Sequence, residues 1–378
     1  MWACRCWRPL SNGNGRRNVG RLERAAAYLA GNDRLFQTLG ISQGTLIEPH
    51  ALGRGEHNEN YWFSDPATGK RYVLRVNLVK QPFHDDQVAY EHAALAALVP
   101  SGCTPAPLFV DSSGDAPGNG VLVESFCDGD ELDFDHLRPG DLQCAAQLMA
   151  DFHAVPVAED TPLFVPDDPL RTWFDESVAR FEFYYSSAYE DARVTRWMQR
   201  LIKVSEGLLD APCPAADRRH IVNSECLASH FLIPAQSAQR AAAALTRSHS
   251  GRFTDTPGHF VDWERPIIGE VAQDVAYFVS PTTTVWDSDY FFPGSKIAGF
   301  LDDYWRAVDG RFEPGGFEDR FRAFFITTAL HSASWCVRAL VYQGEGKAAY
   351  STPKALKKVP FYLSDEFMEQ VMESIEAL

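Results

Sequence analysis

"HIVNSECLASHFLIP", residues 220–234, sets one carboxylate, Glu225, in a short polar loop between two apolar runs. An apolar entry and an apolar exit around such a loop read as two short buried strands, and the loop between them is a good place to deliver a catalytic acid or base. Asn223 leads the loop and His230 closes it.

The segment upstream supplies a partner for such a loop. Residues 46–77 alternate as strands do: "TLIEPHAL", then "ENYWF", a turn "SDPATGK", then "RYVLRV". In the last run Tyr72, Leu74 and Val76 share one face, which leaves Val73 and Arg75 on the other. "DDQVAYEHAALAAL" (85–98) spaces Val88, Glu91, Leu95 and Leu98 for a helix, and "APLFV" and "GVLVESF" add two more strands. After about residue 127 the pattern turns helical. "DLQCAAQLMADFHAV" carries the stripe Leu142, Ala145, Met149, Phe152, residues 169–209 are dense in aromatics, and "SDEFMEQVMESIEAL" ends the chain in helical spacing. The expectation is an α+β chain with a small antiparallel β lobe over 25–126 and a larger, mainly helical lobe over 127–378. The cleft between them is the natural ligand site.

Composition narrows the partner class. The chain has 378 residues, 45 % hydrophobic and 23 % charged, enough for two domains sharing a large buried interface. Its net charge of −16 repels nucleic acid and anionic membranes and suits cationic ligands. No uninterrupted apolar run approaches the ~18 residues of a membrane span. Eight scattered cysteines without knuckle spacing read as reduced thiols in a cytoplasmic protein. Residues 1–24, with six arginines and one acid, read as a disordered tail.

Several residues are candidates for chemistry. In "GRGEHNENYWF", Gly53 and Gly55 allow close backbone approach to a phosphate, with the Asn58 and Asn60 amides nearby; a plain turn is the simpler alternative. Arg75, a cation in mid-strand, faces either solvent or a polar cleft, and Glu91 on the next helix could pair with it. Asp262 in "HFVDWERPIIGEVAQDVAYF" ends an apolar run, where a carboxylate can hold a hard cation such as magnesium. Asp274 in the same stretch caps its helix or ties a loop down.

In this order the glycine turn, "YVLRV", the Glu91 helix, "VLVESFCDGDEL", "LMADFHAV", the 222–233 loop and "FVDWE…QDVAYF" resemble the aminoglycoside phosphotransferase family of kinase-like enzymes, over about residues 46–290. The resemblance implies a bilobal protein-kinase-like fold, ATP or GTP as donor, and Mg2+. It places Arg75 on the nucleotide phosphates, Glu91 as its helix acid, Glu225 as the catalytic-loop acid, and His230 and Asp262 at the metal positions. Two positions depart from the family: Glu225 stands for Asp and His230 for Asn. The segment also looks like a bacterial branch whose loop reads N-T-E, in which Asn223 and Glu225 are normal and His230 still departs. Glu keeps the charge and adds a methylene; imidazole suits zinc, copper or iron better than magnesium. His230 simply packing among aromatics is the plain alternative.

The implied function is ATP-dependent phosphorylation of a hydroxyl on a small molecule: an amino-sugar, an aminoglycoside, a choline-like or a related acceptor, cationic or sugar-like. The alternative, motivated by the double departure in the loop, is a catalytically inactive nucleotide- or ligand-binding protein. Zinc hydrolysis through His230, Glu225 and Asp262 ranks third.

Overall fold

The computed structural model describes residues 15–55, 57–80, 84–212, 219–245, 256–313, 315–346 and 353–378. Five antiparallel strands form the N-lobe sheet: β1 (His50–Arg54), β2 (Asn58–Ser64), β3 (Arg71–Asn77), β4 (Pro107–Asp111) and β5 (Val121–Ser125), in the order β1-β2-β3-β5-β4. Alternation divides this sheet cleanly. Tyr61, Phe63, Tyr72, Leu74, Val76, Val121 and Val123 fill the outer face, where Ala25 and Leu29 of helix α1 (Gly15–Ala30) and Leu35 and Phe36 of α2 (Asp33–Leu39) cover them. The opposite face, with Asn58, Asn60, Val73, Arg75, Leu122 and Glu124 in register, turns to the cleft. Helix α3 (Gln87–Leu98) buries Val88, Glu91, Leu95 and Leu98, and Asp86 caps it by accepting from the Ala89 N–H at 3.0 Å.

Two expectations change here. Residues 1–14 of the expected tail lie outside the described residues, and residues 15–24 belong to α1 instead of a tail, because Ala25 and Leu29, one turn apart, seat that helix on the sheet. The strand expected from Thr45 begins only at His50, directly after Pro49, which has no N–H to give a ladder.

The C-lobe holds α4 (Asp141–His153), α5 (Pro169–Tyr185), α6 (Ala192–Glu206), α7 (Ala235–Leu245), α8 (Val271–Val279), α9 (Pro281–Asp287), α10 (Gly294–Val308), α11 (Phe317–Gly344), α12 (Pro353–Tyr362) and α13 (Asp365–Glu376). Helix α11 is the one described helix long and apolar enough to cross a membrane; 78 % of that apolar window is buried inside the fold. It packs there against α5, α6 and α8, and its apolar residues point every way because neighbours surround it. Short strands carry the loops: β6 (Asp130–Glu131), β8 (Phe231–Ile233) and β9 (His259–Phe260) form one ribbon, and β7 (His220–Val222) pairs with β10 (Ile267–Gly269). The fold is bilobal α+β. Cys103, Cys127, Cys144, Cys226 and Cys336 are buried and unpaired.

Candidate functional site

The Glu225 loop leaves β7 and enters β8, so its two ends are fixed in different sheets. Asp274, fully buried on α8, accepts the backbone N–H groups of Asn223 (2.8 Å) and Ser224 (2.7 Å), and His153 Nε2 stands 3.1 Å from the same carboxylate. It ties the loop down instead of capping its helix. Ser224 takes φ 67°, a left-handed turn, and its hydroxyl donates to the Arg265 carbonyl at 2.8 Å. Those constraints push the Glu225 side chain outward, 39 % exposed, with Arg265 Nη1 3.8 Å away. Asn223 Nδ2 donates to the Asp262 carbonyl at 2.9 Å, which locks this loop to the next one.

Asp262 follows β9 with φ 69°, so its carboxylate turns back into the cleft. There the lobes meet. Arg75 Nη2 lies 2.9 Å from Asp262 Oδ1 and 3.3 Å from Glu264 Oε1, and Arg75 Nε lies 3.3 Å from Glu91 Oε2. Asn58 Nδ2 donates to Glu264 and Asn58 Oδ1 accepts from Asn77 at 3.0 Å; Gln87 Nε2 donates to Glu91 at 3.0 Å and to the Glu264 carbonyl at 2.7 Å. His230 Nε2 sits 3.5 Å from Asp262 Oδ2, its ring edge-on to Phe260 and its Nδ1 buried without a hydrogen-bond partner. Thus Asn58, Arg75, Glu91, His230 and Asp262 converge, and Glu225 joins them through the Asn223 link. Gly53 falls in a register shift of the β1–β2 pairing, and Gly55 N–H closes the hairpin on the Asn58 carbonyl at 3.0 Å.

The charge balance of this cluster is unusual. Burial opposes the Arg75 charge, but Glu91, Asp262, Glu124 and Glu264 outweigh it and hold the guanidinium protonated. Four carboxyl groups thus surround one cation. Burial raises Glu91 and, with Asp262 nearby, raises Glu264 well above the usual range; burial pushes Glu124 up to about 7. Burial would also raise Asp262, yet Arg75 and His230 reverse this and hold it below its ordinary value. Glu124 and Glu264 belong to the cluster although sequence reasoning missed both. The available signal for Glu124 was an acid inside the apolar run "VLVESF", in register with Val73.

Residues 49–223 match the model of the phosphotransferase enzyme family. This segment belongs to that family. The match ends at Asn223, so Glu225, His230 and Asp262 lie beyond it. Three solved structures share the bilobal fold. The Plasmodium vivax ethanolamine kinase is 12 % identical with a TM-score of 0.56, over 96 % of this chain and 97 % of that one. A microcompartment-associated aminopropanol kinase is 16 % identical with a TM-score of 0.56, over 94 % and 98 %. A spectinomycin phosphotransferase bound to ADP and spectinomycin is 12 % identical with a TM-score of 0.53, over 91 % and 98 %. At such identities the likeness is one of fold. No curated protein matches the sequence at a significant level.

The donor set fits the magnesium of a phosphotransferase unevenly. Asp262 and Glu264 bring two carboxylates to the same Arg75 nitrogen, and such hard oxygens suit magnesium. The His230 imidazole does not. Among the described residues no three His, Cys, Asp or Glu form a metal cage, which removes the support for zinc hydrolysis; His220 already lends Nδ1 to the His153 carbonyl at 2.7 Å. Magnesium held partly by nucleotide phosphates needs only one or two protein carboxylates.

Proposed function

We propose that the chain transfers the terminal phosphoryl group of a nucleoside triphosphate, ATP or GTP, to the hydroxyl of a small molecule. The observation that carries this reading is the contact across the lobes, Arg75 Nη2 to Asp262 Oδ1 at 2.9 Å, beside an exposed Glu225 carboxylate. Arg75 would receive the phosphates beside the β1–β2 hairpin with Gly53 and Gly55; Glu91 holds Arg75 in line, and Asn58 holds Glu264 next to it. Magnesium, held by Asp262 with Glu264, would neutralise phosphate charge. Glu225 takes the proton of the acceptor hydroxyl as its oxygen bonds to phosphorus and the nucleoside diphosphate leaves. Positioning and electrostatics supply most of the acceleration in this reaction class. Ethanolamine, aminopropanol and spectinomycin, named for the structural neighbours, are all hydroxylated small molecules, which supports an acceptor of that kind.

The inactive-binder reading keeps one specific observation in its favour, the His230 imidazole in place of an oxygen ligand beside Asp262. One experiment decides between the two readings: nucleoside diphosphate release with magnesium and a panel of hydroxylated acceptors, for wild type and Asp262→Asn. The expected outcome is acceptor-dependent turnover that falls at least a hundredfold in the variant while its melting curve stays cooperative. Wild-type turnover in Asp262→Asn removes the metal role, and no turnover by either protein favours the binder.

A further inference from the structure

Behind Glu225 the local charge has the opposite sign to the chain. Helix α5 presents Trp173, Glu176 and Arg180, helix α11 presents His331 and Arg338, and Arg265 enters from the turn before β10. Arg265 is already committed. Its Nη2 reaches both oxygens of Glu176 at 2.6 and 2.5 Å, and its guanidinium lies 5.4 Å from the Trp173 ring centre. Arg180 is not matched in this way. Its Nη2 stands 3.7 Å from a Glu176 oxygen that Arg265 holds, and its Nη1 lies 2.9 Å from His331 Nε2. His331 is stacked on Trp173 at 3.6 Å and 7°. Arg338 lies over the Tyr342 ring at 5.9 Å and pairs with no described carboxylate.

Three guanidiniums therefore face two carboxylates, one of which, Glu225, is needed at the acceptor hydroxyl. The surplus is of donors too: the Trp173 indole N–H, in a side chain only 3 % exposed, has no hydrogen-bond partner. Burial, with Arg180, Arg265 and Arg338 around it, drives His331 well down, so it stays a neutral base and adds no charge to the balance. Burial, then Arg338 and Arg265, lower Arg180 to about 9, because Glu176 and Glu225 do not offset them. A buried guanidinium fork in want of an anion matches a carboxylate or phosphate in two parallel hydrogen bonds.

We propose that the acceptor carries an anionic group, a carboxylate or a phosphate, received by Arg180 and Arg338 with the Trp173 N–H, while its hydroxyl faces Glu225. This rests on the kinase reading of Glu225 for the hydroxyl alone; the anion site stands without it. It also reverses the preference for a cationic acceptor drawn from net charge, since the binding site answers to its own residues and not to the whole chain.

Paired probes test this on the full-length wild type. Binding is measured by calorimetry without nucleotide for homoserine against 3-aminopropanol, glycerate against glycerol, and glycerol 3-phosphate. The anionic member of each pair is expected to bind at least tenfold tighter, with glycerate against glycerol 3-phosphate separating the carboxylate from the phosphate source. Arg180→Met and Arg338→Met are each expected to cut that preference at least tenfold, with partial rescue in Arg180→Lys. Equal or tighter binding of the amine or the neutral alcohol overturns the proposal, as does binding by none of the anions, or an undiminished preference in a folded Arg180→Met. Turnover separates the two readings. Anions that bind without nucleoside diphosphate release sink the kinase reading alone; amines that are phosphorylated while anions neither bind nor react sink this one alone.

Discussion

Glu124 shares the cleft face of the sheet with Arg75 and is buried beside Glu91 and Asp262, so its carboxyl holds its proton up to about pH 7. The folded state thus binds that proton more tightly than the unfolded chain, and stability falls as pH rises from the ordinary glutamate range through about 7. Glu124→Gln removes this dependence. In urea unfolding at pH 5 and pH 8, the variant is expected to gain on wild type by on the order of 2–3 kcal/mol between the two pH values; parallel curves would show that Glu124 ionises freely. His230 bears on the chemistry instead. His230→Asn exchanges an imidazole 3.5 Å from Asp262 for an amide oxygen, and magnesium-dependent turnover is expected to hold or rise. A kinase inactivated by that change would require His230 to act in its own right. Arg75 was legible in the sequence because strand alternation isolates a cation opposite Tyr72, Leu74 and Val76. The unmatched Arg180 was not, since its partners come from α11 and the turn before β10, far away in the chain.

The loop from β7 to β8 is held from below by one side chain on another helix. Asp274 of α8 takes two backbone N–H groups of that loop and faces His153 of α4, whose Nδ1 lies 2.9 Å from the Tyr304 hydroxyl of α10. Asp274→Ala would leave two buried N–H groups without acceptors, at about 1–3 kcal/mol each. The expected loss is about 3 kcal/mol or more in chemical denaturation, and a loss under about 1 kcal/mol would show that water replaces the carboxylate. Element existence was readable where apolar residues recur at helical spacing, as in α3 and α4. Helix α11 was not, because its surroundings are apolar on every side and the periodic stripe vanishes. Strand β1 was misplaced in its first residues, since alternation cannot register where hydrogen bonding starts.

Across the whole molecule the two lobes meet through charge, where Arg75 faces Asp262 and Glu264, through Gln87 on the Glu264 carbonyl and Tyr90 on the Pro266 carbonyl, and through backbone, where the Phe260 N–H donates to the Cys103 carbonyl at 2.7 Å. Four carboxyls around one cation make the cleft a poor host for a bare triphosphate. ATP with magnesium is therefore expected to raise the melting temperature, by the equivalent of about 2.7 kcal/mol at 100 times the dissociation constant, and ATP with a chelator far less. The same shift in both would remove the metal from the account. The overall bilobal order was legible because composition changes character near residue 127, whereas the contact between lobes depends on side chains about 190 positions apart. The buried thiols give this architecture a chemical clock. A thiol reagent reaches Cys103 and Cys127 only when the junction between lobes opens, Cys226 only when the Glu225 loop lifts, and Cys144 and Cys336 only when the helical core comes apart. In a chain with Cys4, Cys6 and Cys213 changed to serine, the order in which mass spectrometry finds the five labels is the order in which the molecule comes undone. Magnesium ATP would delay the first two marks and leave the last pair on its own schedule.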